Sequence, residues 1–111
     1  MTQTLDGEDQ KLVVLARGAR ARAQTRSGAA VRDGDGRTYA GADVSTQTLS
    51  LTALQVALAT ALSSGARTFE AAVIVGGASD DPGRDTLTEI APGAYLVLTD
   101  AGGAVLARVA S

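Results

Sequence analysis

Cysteine, histidine and tryptophan are all missing from this 111-residue chain, and aromatic side chains supply only 3% of it. Without thiols or imidazoles no disulfide can form, and no nitrogen or sulfur ligand set exists for a transition metal. Serines and threonines are plentiful, but no histidine stands ready to activate one as a nucleophile. Lys11, the only lysine, falls early in a helical pattern and reads as a surface charge rather than a catalytic amine. The net charge of −2 is too weak a field to gather nucleic acid or an anionic membrane. No stretch approaches the ~20 apolar residues of a membrane span. The acidic opening (Asp6, Glu8, Asp9) does not fit a signal peptide, so the expected location is the cytoplasm.

What is present is a 45% apolar composition in a chain long enough for one core, so a single domain over residues 1–111 is expected, with residues 1–6 disordered. Alanine, valine and leucine must fill that core. Because small side chains bury little area each, association between copies is a natural way to add stability.

Residues Asp6 to Arg26 read as a helix, with Leu12, Ala16, Ala19 and Ala23 forming one apolar stripe. Gly28 to Val31 and Arg37 to Ala42 flank Asp33-Gly34-Asp35-Gly36, a β-hairpin signal. A second helix is predicted from Thr48 to Ser64, ending at Gly65; its apolar residues, from Leu49 to Leu62, surround most of its circumference. Phe69 to Val75 reads as a central strand. Asp81-Pro82 starts a short helix that ends before Pro92, and Tyr95 to Thr99 with Ala104 to Val109 forms a last hairpin. The predicted order is α-β-β-α-β-α-β-β: a three-layer α/β/α fold on a mixed five-stranded sheet.

Three charged or glycine-rich constellations invite functional readings. Asp80, Asp81, Asp85 and Glu89 could gather a hard cation, but acids at a helix start are better explained by capping and the helix dipole. Arg17 and Arg20 point away from Arg22 and Arg26 on a helix, so no basic stripe for nucleic acid results. Gly34-Asp35-Gly36 and Gly76-Gly77 lack the Lys-Ser/Thr of a phosphate loop and read as turns.

Over nearly its whole length the sequence resembles the small nucleoside cytidine deaminases. Gly28-Ala29-Ala30-Val31, Asp35-Gly36-Arg37 and Gly41-Ala42-Asp43-Val44 stand where that family carries Val-Gly-Ala-Ala, Asp-Gly-Arg and Gly-x-Asn-Val. Thr52-Ala53-Leu54-Gln55-Val56-Ala57-Leu58 is similar to its Cys-Ala-Glu-Arg-Val-Ala-Leu helix. Leu87-Thr88-Glu89-Ile90-Ala91-Pro92 is similar to its Leu-x-Glu-Phe-Ala-Pro segment. The resemblance implies the cytidine-deaminase-like fold, and homodimers or homotetramers with the second helix in the contacts.

It also implies where the chemistry should be. The family's first zinc ligand and its proton-shuttling glutamate correspond to Thr52 and Leu54; a count back from Leu87 puts its other two ligands at Asp80 and Gly83. Its ribose-binding pair corresponds to Asp43 and Ser45, and the aromatic wall of its base pocket to Thr25. A hydroxyl, a carboxylate and a glycine do not make a catalytic zinc site, and without bound zinc nothing brings the pKa of water down towards ~7. The expectation is a non-catalytic, oligomeric structural or interaction module with no cofactor and no zinc. A nucleoside-binding protein that keeps the old cleft is the first alternative, and an atypical cytidine deaminase the second.

Overall fold

Gly7–Ala23 (α1) is entered through Asp6, whose carboxylate accepts from the Asp9 N–H at 2.8 Å. The computed structural model describes residues 5–110. The disorder expected for residues 1–6 therefore does not extend to Asp6, which caps a helix; residues 1–4 lie outside the described residues. After α1 come β1 (Gly28–Asp33), β2 (Thr38–Ala42), the short strands β3 (Val44–Ser45) and β4 (Ser50–Leu51), and α2 (Ala53–Ser63). The chain then runs through β5 (Phe69–Val75), α3 (Gly83–Ile90), β6 (Tyr95–Thr99) and β7 (Val105–Ala110).

Five strands pair in the order β2-β1-β5-β6-β7, and β3 pairs only with β4. β5 and β6 are parallel, joined across the sheet by α3, while the other neighbours are antiparallel. Alternation along β1 and β5 sends side chains to opposite faces. Ala29, Val31, Ala72 and Ile74 pack with α2 and α3, whereas Ala30, Ala71, Val73 and Val75 pack with Leu12, Val13 and Ala16 of α1. The mixed sheet is thus sandwiched between helices, with both central strands covered on both sides, as expected.

Three element boundaries differ from expectation. α1 stops at Ala23 instead of Arg26, because Gln24 turns left-handed (φ 56°) and returns its N–H to the Arg20 carbonyl. α2 starts at Ala53 instead of Thr48. Thr46 accepts the Leu49 N–H on its hydroxyl and donates its own N–H to the Leu49 carbonyl, tying residues 46–49 into a turn before β4. Leu49, half exposed, therefore lies on the β3–β4 hairpin and not on the helix. Thr52 then caps α2 in a capping box with Gln55. α3 opens at Gly83, after Pro82.

The core is fine-grained, and its layers sit close. A methyl group at Gly41 would lie 2.7 Å from Val56 Cγ1 and 2.8 Å from the Ala57 nitrogen, so β2 approaches α2 as only a glycine permits. No helix among the described residues is long and apolar enough to cross a membrane.

Candidate functional site

α2 and α3 begin side by side, and their first residues close the gap between them. The Thr52 hydroxyl accepts from the Gln55 N–H at 3.2 Å and donates to Asp81 Oδ1 at 2.7 Å. The same Asp81 oxygen accepts the Gly83 N–H at 2.7 Å, so a nearly buried carboxylate sits at the start of α3, where the helix dipole favours it. Leu54, with no exposed surface, fills the space behind: a Cβ added to Gly83 would stand 2.8 Å from its Cγ. The result is an apolar plug under a hydrogen-bonded polar lid.

Asp43 also acts at the start of α2. Its carboxylate accepts from the Ser27 N–H (3.0 Å), the Ser27 hydroxyl (2.8 Å) and the Ala53 N–H (2.9 Å). It pins the start of β1 to the start of α2. Thr25 donates to the Ser27 carbonyl at 3.0 Å and belongs to the same junction, whereas Ser45 is exposed on β3.

Thr52, Leu54 and Gly83 are therefore brought together, and Asp80 is not. Asp80 is exposed in the turn before α3, and Asp81 is the acid that faces Thr52. A count without gaps could not find this, because the turn into Pro82 decides which of two adjacent aspartates points inward. The zinc site implied by the resemblance does not fit these side chains. Zinc at a catalytic site takes three strong nitrogen, sulfur or carboxylate ligands; here the hydroxyl is engaged in capping, the carboxylate holds two donors, and the glycine offers no ligand. Among the described residues no three histidines, cysteines or acids are grouped to hold a metal ion.

The remaining candidates resolve as surface or scaffold. Asp80, Asp85 and Glu89 are exposed, with Asp85 in the first turn of α3. Arg17, Arg22 and Arg26 are exposed, and Arg20 donates to the Arg26 carbonyl at 2.9 Å; Arg26 lies beyond the helix on which it was expected. Lys11 pairs with Glu8 at 3.2 Å.

One cluster escaped the sequence reading. On the opposite face of the sheet, Arg32 donates to Asp9 (3.1 Å), to Glu70 (2.9 Å) and to the Tyr95 oxygen (3.1 Å), while the Tyr95 hydroxyl donates to Asp9 at 2.7 Å. Arg108 stacks 3.9 Å from the centre of the Tyr95 ring. Asp9 is 1% exposed and Arg32 7%, yet among the described residues no buried side-chain nitrogen or oxygen lacks a hydrogen bond. Burial works to lower the Arg32 pKa, but its bonds to Glu70, Tyr95 and Asp9 outweigh this and hold it above its ordinary value. The Tyr95 phenol is pushed up by burial first and by the facing Asp9 carboxylate second. The clue was Asp9 itself, a charge at helical spacing with Leu12, Val13 and Ala16 on the inward stripe.

Comparison with known proteins places these features. A family model described as cytidine deaminase-like matches residues 5–103. Among solved structures, cytidine deaminase from Burkholderia pseudomallei superposes with a TM-score of 0.78 at 27% identity, over 91% of each chain. Cytidine deaminase from Mycobacterium leprae superposes at 0.71 with 20% identity, over 91% of this chain and 93% of that one. A mutant cytidine deaminase from Mycobacterium tuberculosis superposes at 0.67 with 23% identity, over 86% of this chain and 85% of that one. No curated protein sequence matches significantly.

Proposed function

The chain belongs to the cytidine deaminase-like family, and from that premise we propose that it is a non-catalytic member, an oligomeric structural or interaction protein. The observation that carries this reading is the plug between the starts of α2 and α3. Where the resemblance puts a metal ligand and a proton-shuttling glutamate, Thr52 is bound to Asp81 and Leu54 is packed without exposure against Gly83. Deamination of a cytosine ring needs an activated water at C4 and a group that exchanges protons with the ring. Leu54 can do neither.

The nucleoside-binding alternative meets the same obstacle. Asp43, at the position of a ribose contact, already has three donors on its two oxygens. No specific observation favours it over the structural reading.

The test is direct. Purified protein, its metal content measured by mass spectrometry and its action on cytidine followed by the ultraviolet change to uridine, is expected to hold no stoichiometric zinc and to turn nothing over. Zinc at one equivalent together with uridine formation overturns the proposal. A rise in melting temperature with cytidine or uridine, without turnover, would transfer the reading to a nucleoside-binding protein.

A further inference from the structure

Between Asp9 and Asp33 the chain has no acid, yet that stretch carries Arg17, Arg20, Arg22 and Arg26. Arg17 and Arg20, one helical turn apart, share a flank of α1. The fold lays that flank over the carboxyl ends of the two parallel strands, β5 and β6. A Cβ added to Gly103, in the turn after β6, would lie 3.1 Å from Arg17 Cδ and 3.7 Å from its Nε. A Cβ added to Gly76, just after β5, would lie 3.3 Å from Arg20 Nε. The Gly76 N–H donates to the Thr99 carbonyl at 3.1 Å, so the two strand ends are tied together beneath the arginines.

Neither guanidinium has a counter-ion. Among the described residues Arg17 makes no hydrogen bond and no ion pair, and Arg20 uses only its Nε–H, on the Arg26 carbonyl at 2.9 Å. That bond fixes the Arg20 fork and leaves its terminal N–H groups free. The acids of the adjoining segments are engaged with other donors. Asp100 Oδ1 accepts the Gly102 and Ala104 N–H groups, and Asp43 holds the Ser27 hydroxyl and the Ala53 N–H. The helix dipole accounts for basic residues in the last turn, Arg20 and Arg22, but its effect fades within that turn, and Arg17 precedes it. Like charges one turn apart repel, so the helix gains nothing from this pair by itself. A carboxylate satisfies one guanidinium fork, whereas two forks side by side suit the several acceptor oxygens of a phosphate. The carboxyl ends of parallel strands are also where open α/β sheets commonly take their ligands.

We propose that Arg17 and Arg20 form a binding site for a phosphate group at the carboxyl ends of β5 and β6. The site lies on the α1 side of the sheet, away from α2, α3 and the Thr52–Asp81 junction between them. Free phosphate and a small phosphomonoester offer it the same chemistry. The zinc and cytidine measurements do not bear on it, and its failure would leave the loss of catalysis untouched.

The test is a nitrogen–proton NMR titration of the full chain at constant ionic strength, with inorganic phosphate and, separately, with glycerol 2-phosphate. Saturable shifts are expected at the Gly76 and Gly103 amides and at the Nε–H groups of Arg17 and Arg20, with chloride producing none. Arg17→Gln should raise the Kd about tenfold, since it removes one fork and breaks no bond within the protein. Arg22→Gln removes the same charge from another flank, where the Arg22 side chain lies beside Gly18, and should leave the Kd unchanged. Tighter binding of inorganic phosphate would identify free phosphate as the ligand, and tighter binding of glycerol 2-phosphate a phosphorylated metabolite; either supports the site. Shifts that never saturate, equal weakening by the two substitutions, or shifts confined to residues away from Arg17 and Arg20 would each overturn it.

Discussion

A single hydroxyl at position 52 holds two helix starts in place. Thr52 caps α2 and donates to Asp81, which in turn secures the first turn of α3. Thr52→Val keeps the side-chain volume and removes both interactions, so it should destabilise the protein by about 1–2 kcal/mol. Thr52→Ser should keep most of the stability, and urea denaturation of the two variants checks both expectations. Thr52, Leu54 and Gly83 could be placed at this junction from the sequence, but the count put Asp80 where Asp81 stands, and the bonds could not be read at all. Asp81 was expected as the N-cap of α3 with Pro82 as its first residue, but Pro82 takes the cap position and Asp81, one residue earlier, accepts the Gly83 N–H; that its oxygen also receives Thr52, 29 positions away, follows only from how the two helices pack.

At the scale of elements, the sequence pattern found every helix and every strand of the main sheet, while one end of each helix was set by turns and caps that the pattern did not show. The β3–β4 hairpin was missed because strands of two residues leave no alternation to read, and the apolar run through Leu49 and Leu51 looked continuous with α2. The spacing between elements is a separate matter, and Gly41 shows it. Gly41→Ala drives a methyl into Val56 and the α2 backbone, and a loss of about 1–3 kcal/mol is expected, since overpacking displaces a whole helix. Gly93→Ala, where an added Cβ meets nothing within 4 Å, should leave the thermal unfolding midpoint nearly unchanged. Calorimetry of the pair separates crowding from any general cost of replacing glycine.

Across the whole molecule, the cluster of Asp9, Arg32, Glu70, Tyr95 and Arg108 ties α1 to β1, β5, β6 and β7, and its Asp9–Tyr95 bond alone joins positions 86 apart in sequence. With so few aromatic side chains, a buried ionic tie that fixes α1 on the sheet is a notable departure from the alanine and valine packing around it. Tyr95 is held neutral more strongly in the folded protein than in the unfolded chain, so its contribution to stability is complete below a pH of about 10, where an unfolded tyrosine begins to ionise. It is lost as pH rises through the higher value of the folded state. Tyr95→Phe should lower stability at neutral pH by about 1 kcal/mol, because Asp9 and Arg32 each lose a partner. It should also flatten the fall in stability on the alkaline side. Melting curves recorded from neutral pH to beyond pH ~10 for both proteins read the two effects together.

By itself the sequence determined the absence of thiols and imidazoles, the succession of helices and main-sheet strands, and the family resemblance, because residue types and their periodic spacing are local properties written along the chain. Only the tertiary structure decided that Asp81 and not Asp80 meets Thr52, that Leu54 closes the space beside Gly83, and that Asp9 finds Arg32 and Tyr95. Each of these depends on which side chains from distant segments come to share one volume, and that is settled by packing the layers together.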